Sequence, residues 1–227
     1  MIRFPILAVL LMSLALGSAG AAFTAAAPAG AVDAVVTDDK GKPVEDAVVS
    51  LTSASVARPA PAAAPSPAIM DQRDKEFVPY VLPVYVGASV SFPNRDNIRH
   101  HVYSFSSAKK FELPLYIGTP AAPVVFAKPG VVALGCNIHD WMLAYIYVVT
   151  TPYFAKTAAD GKAHLELASG AWEARVWHPR MRGEAEKTAK ALTLAAGDPA
   201  QVAFVVSLKA EWRIPRRIDP YKGSQGN

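Results

Sequence analysis

Cys136, His139 and Met142 stand at a Cys-x2-His-x2-Met spacing, which puts a thiol, an imidazole and a thioether within seven residues. Soft sulfur and borderline nitrogen donors together suit a copper ion that cycles between Cu(I) and Cu(II). Two His and one Cys in a plane, capped by a weak Met, form the usual donor set of copper electron-transfer sites. The sequence must then supply one more histidine, and two adjacent candidates precede the cluster, His100 and His101. Neighbouring strand residues face opposite sides, so only one of that pair turns inward. A zinc ion held by His2Cys is the competing chemistry, although it leaves Met142 without a role.

The compartment can be read from the same cysteine. It is the only one in 227 residues, so it forms no internal disulfide. The chain opens with Arg3, an apolar run from Phe4 to Leu16 and an Ala19-Gly20-Ala21 site. This is the pattern of a secretory signal over residues 1–22, too short to span a bilayer comfortably. Export to the periplasm or outside the cell is expected, with no membrane span in the mature form. An exposed thiol in an oxidising compartment is a liability that metal binding removes. Loss of the leader takes the formal charge from +4 to +3, too mild an excess for a nucleic-acid partner.

The elements that must position these donors read as short strands. Val32 to Thr37 and Ala47 to Thr52 flank Asp38 to Pro43 and suggest a hairpin or closely connected pair. Residues 56–68 are dominated by Ala, Pro and Ser and read as a linker. Strand-like pieces follow at Tyr80–Val86, Ser89–Pro93, Val102–Phe105, Val124–Ala127, Val131–Cys136 and Leu143–Val149, with Pro114 among the punctuating residues. Further strands are expected at 154–157, 164–167, 172–177, 189–194 and 202–208, and 209–227 reads as a tail. Only residues 183–192 have helical flavour. The expected class is all-β, a sandwich of many short strands.

Two resemblances add to this reading. The stretch from Phe92 through Asn94, His100 and Ser106, then Phe126, Pro129-Gly130, Cys136, His139 and Met142, resembles the cupredoxins, the plastocyanin and amicyanin group of blue copper proteins. The short step to Met142 is similar to the amicyanin variety, and the whole stretch resembles exported cupredoxin-like proteins often labelled methylamine utilisation proteins. The resemblance implies a Greek-key β-sandwich over 69–149 holding one type 1 copper through His100, Cys136, His139 and Met142. It implies a periplasmic one-electron carrier, not an enzyme, serving redox partner proteins. The alternative is a copper-binding structural, storage or interaction module. His101 replaces the family's Asn after the first ligand, which alters a tie between the ligand segments. Gly135 replaces a frequent aromatic, which leaves that flank expected to be less packed. Residues 34–51 and 157–179 resemble the two halves of carboxypeptidase-regulatory-like β-sandwiches. This implies one discontinuous domain, 31–55 plus 150–208, into which the copper module is inserted. His164 is expected to be exposed, His178 structural, and Trp141, Tyr145 and Tyr147 core candidates, with Trp141 also a candidate for a docking patch.

Overall fold

The computed structural model describes residues 29–55, 66–120, 122–197 and 199–211. The expected signal segment, most of the linker and most of the tail lie outside these residues. Regular structure among the described residues is β throughout, apart from one 3-10 turn at Ala185–Thr188, so the fold they form is all-β. No helix among them is long and apolar enough to cross a membrane.

The strands in chain order are β1 (Ala29–Asp38), β2 (Val48–Thr52), β3 (Ala68–Ile69), β4 (Asp71–Arg73), β5 (Glu76–Val78) and β6 (Val81–Tyr85). There follow β7 (Ser89–Ser91), β8 (His100–Ser106), β9 (Lys109–Tyr116), β10 (Val124–Val125), β11 (Gly130–Gly135) and β12 (Leu143–Val149). The last are β13 (Phe154–Lys156), β14 (Lys162–Ala168), β15 (Gly170–Trp177), β16 (Lys190–Leu194) and β17 (Ala200–Val206).

The sheets join segments far apart in the chain. One has the order β14-β1-β17 and another β13-β2-β15-β16, so both early strands pair only with late ones. Val32, Val36 and Leu51 share a core with Leu165, Trp172, Val176 and Phe204. The middle of the chain forms a five-stranded sheet, β6-β12-β11-β8-β9, and a three-stranded one, β10-β7-β3. Between them lies a second core that includes Phe92, Val102, Phe126, Leu134 and Ile146.

Alternation along β12 joins the two cores. Ala144, Ile146 and Val148 face the middle core, while Tyr145 and Tyr147 pack on the other. Successive strand side chains point to opposite faces, so one strand serves both. The Tyr147 ring stacks on Trp177 at 4.3 Å between centroids.

Two expectations need correction. β1 and β2 are not a hairpin, because they lie in different sheets. Asp38 accepts hydrogen bonds from the Lys40 and Lys42 amides, so the connecting turn is well formed, but it carries the chain from one sheet across to the other. Pro114 does not punctuate: it sits inside β9, a strand absent from the sequence reading. β9 is the outer strand of its sheet, where a residue without an amide hydrogen is tolerated.

Candidate metal centre

His100, Cys136 and His139 converge at one end of the middle core, with their ligand atoms all within 4.8 Å of one another. Three pieces of backbone place them. His100 is the first residue of β8, Cys136 directly follows β11, and the loop 136–142 leads into β12. β11 and β12 are paired from Gly130↔Val148 to Gly135↔Leu143, so both ends of that loop are held by one ladder. Within it the Met142 amide donates to the His139 carbonyl at 2.9 Å. Met142 is 2% exposed and packs in the same core as Cys136.

The segment leading to His100 is held by side chains. Asn94 Nδ2 donates to the Ile98 carbonyl at 2.9 Å and to the Tyr116 carbonyl at 2.8 Å. Asn94 Oδ1 accepts the Asp96 amide at 3.0 Å. A buried Asn that satisfies backbone groups on both sides fixes where the loop ends and the strand begins. His100 therefore enters β8 pointing inward. His101, one residue on, faces the other side of the strand. Its ring packs on Tyr103, its Nε2 lies 2.9 Å from Glu112 Oε1, and it is outside the converging cluster. That Nε2 makes no well-directed hydrogen bond, so the contact with Glu112 is one of proximity.

The chemistry of the site follows from its unpaired atoms. His100 Nε2 lies 2.7 Å from Asp96 Oδ2. Burial raises the Asp96 carboxyl, but hydrogen bonds from His100, Lys75 and Asp74 outweigh it, so the pKa falls below the ordinary value. An ionised carboxylate only accepts, so the Nε2 atom carries the hydrogen, and in the neutral ring it is Nδ1 that keeps a lone pair. Nδ1 of His100 and Nδ1 of His139 are both buried without a hydrogen-bond partner. Burial, then the electrostatic influence of the neighbouring His100 and Lys75, holds the His139 pKa below its usual value. The ring is thus neutral at neutral pH. Leaving one buried acceptor unpaired costs about 1–3 kcal/mol, and here two of them sit beside a buried thiol. An ion bound to all three would satisfy every one, and the donor types suit copper or zinc. With Met142 buried alongside, the residues fit a copper ion.

Gly135 corrects the expectation of a loosely packed flank. A Cβ there would lie 2.7 Å from the Tyr103 ring, because Tyr103 is its cross-strand partner on β8. The aromatic is present, supplied by the neighbouring strand and lying over the glycine. Trp141 is half-buried. Its indole donates to the Lys75 carbonyl at 3.0 Å, and its ring centroid lies 5.1 Å from that of His139.

The remaining histidines lie away from the centre. His164 is exposed and paired with Asp33 at 2.6 Å. His178 is buried, and its Nδ1 accepts the Arg180 amide. Asp96 was missed in the sequence reading, although its place four residues before His100 was a usable sign.

No protein-family model matches the chain, and no curated protein matches its sequence. Among solved structures the chain is similar to a purple cupredoxin from Nitrosopumilus maritimus, at 22% identity and a TM-score of 0.33, over 36% of this chain and 99% of that one. A variant of amicyanin in its reduced Cu(I) form is similar at 21% identity and 0.34, over 44% and 98%. A copper-containing nitrite reductase from Thermus scotoductus is similar at 25% identity and 0.36, over 51% of this chain and 28% of that one.

Proposed function

We propose that this protein binds one copper ion through His100, Cys136, His139 and Met142 and works as an exported, periplasmic one-electron carrier of the cupredoxin kind. The observation that carries the reading is the pair of buried, unpartnered Nδ1 atoms beside the Cys136 thiol. The ion would supply a reversible one-electron couple. The chain's own residues do the rest. Cys136 binds as a thiolate, and the metal's charge lowers its pKa far enough for that. The ladder between β11 and β12 holds both ends of the ligand loop, so the donors change place little when the charge changes. Phe92, Phe126 and Leu134 keep the inner side dry. His139, the least buried of the four, lies beside exposed Ile138 and offers the shortest way out for an electron to a redox partner protein. No bond-making step is assigned to the chain.

Residues 31–55 and 150–208 are proposed to form one discontinuous sandwich that hosts the copper module. Their strands share two sheets and a core, which supports that division.

The decisive experiment is copper titration of the purified protein. An intense visible thiolate-to-Cu(II) band and a narrow copper hyperfine splitting are expected. Cys136→Ser should abolish both, whereas His101→Ala should leave them largely in place. A wild-type protein that stays colourless with excess Cu(II) would sink the proposal. Voltammetry then separates carrier from storage module, since a bound ion that never cycles would favour storage.

A further inference from the structure

The two segments that bring donors together are joined through a third. The turn between β4 and β5 consists of Asp74 and Lys75, both with positive φ, 55° and 59°. Asp96 accepts the Asp74 amide on Oδ1 at 2.7 Å and the Lys75 amide on Oδ2 at 2.8 Å. The same Oδ2 takes the His100 Nε2 hydrogen at 2.7 Å. On the far side of the turn, the Lys75 carbonyl accepts the Trp141 indole, and Trp141 packs on His139. A continuous path of contacts therefore runs from His100 through Asp96, the turn and Trp141 to His139.

We propose that Asp96 is a positioning residue for the metal centre, holding His100 so that Nδ1 faces Cys136 and His139 and placing a fixed negative charge behind that ligand. The inference rests on the copper reading above. A neutral imidazole by itself exchanges its hydrogen between two nitrogens, and the ring turns about its own side-chain bonds. A carboxylate on Nε2 ends both freedoms. The His100 side chain is fully buried and that of Asp96 is 13% exposed, so water does little to screen the pair. The added charge makes the imidazole a stronger donor and favours Cu(II) over Cu(I). The turn, latched to Asp96 on one side and to Trp141 on the other, also ties the ligand segments together.

The test uses the full chain, its Asp96→Asn variant, which keeps an acceptor oxygen but no charge, and its Asp96→Ala variant, which keeps neither. In the metal-free protein, long-range proton–nitrogen NMR should find His100 protonated on Nε2 alone, with both tautomers present in Asp96→Ala. Cu(II) affinity should fall roughly 10- to 100-fold in Asp96→Ala. With Cu(I) affinity unchanged, the reduction potential rises by about 60–120 mV, at ~59 mV per tenfold. Asp96→Asn should keep the tautomer and raise the potential by a smaller step. A role limited to capping the turn would lower thermal stability and leave tautomer and potential alone. An unchanged potential in Asp96→Asn, or an unchanged tautomer in Asp96→Ala, overturns the assignment. Should wild type take up no copper, the carrier reading falls, while the metal-free tautomer measurement still decides whether Asp96 holds His100.

Discussion

His178 and His100 are both buried beside a strand end, one in each core. Their surroundings differ. In the core built from early and late strands, buried polar groups are paired off. His178 accepts the Arg180 amide. Thr157 donates to the Val44 carbonyl and accepts the Ala47 amide, and Thr151 donates to the Leu51 carbonyl. Arg175 Nε is left over there, although its guanidinium is partly exposed and reaches Glu173. In the middle part of the chain, His100 and His139 each keep a buried Nδ1 without a partner, as Gln72 Oε1 and both His101 nitrogens do. Only the His100 and His139 side chains converge with a thiol. Unpaired buried atoms that converge are costly for a scaffold. That cost becomes reasonable where a ligand removes it.

If the cores share β12 as the structure has it, damage to one should be felt by both. The largest effect is expected for Trp177→Ala, which empties the site against Tyr147 and should cost about 3–5 kcal/mol. Chemical denaturation followed by far-UV circular dichroism and by the copper band should show one shifted transition. Two separate transitions would mean that the cores fold independently.

A smaller loss, about 1–3 kcal/mol of overpacking, is expected for Gly135→Leu, whose side chain must displace Tyr103. Adding Tyr103→Ala should recover part of it, measured as a coupling in a double-mutant cycle. Simple additivity would place the Tyr103 ring somewhere other than over the glycine.

The smallest effect concerns pH. Burial, then the nearby Arg180 charge, pushes His178 down from 6.5 to about 4. Between those values the unfolded chain binds the extra proton, so stability falls as pH drops through the window and levels off below it. His178→Gln should flatten the fall in Tm between pH 6.5 and about pH 4. An identical fall in the variant would show that other groups cause it.

Much of this could be read without coordinates. Cys136, His139 and Met142 are close in sequence, so a loop of any reasonable shape brings them near one another. Most strands were visible from apolar runs and turn residues. β9 was hidden because an edge strand is free to carry Lys109, Lys110, Glu112 and Pro114, which resemble loop composition. β1 and β2 are closely connected but do not pair as a hairpin, because a tight turn specifies reversal, not the sheet the chain enters next.

Local chemistry thus determined the donor types, their spacing and the all-β class, since each depends on residues within a few positions of one another. Tertiary structure alone decided which histidine faces Cys136, that Tyr103 covers Gly135, and that Asp96 and Lys75 bridge His100 to Trp141. These depend on strands and turns meeting from distant parts of the chain, and no local pattern encodes where such meetings occur.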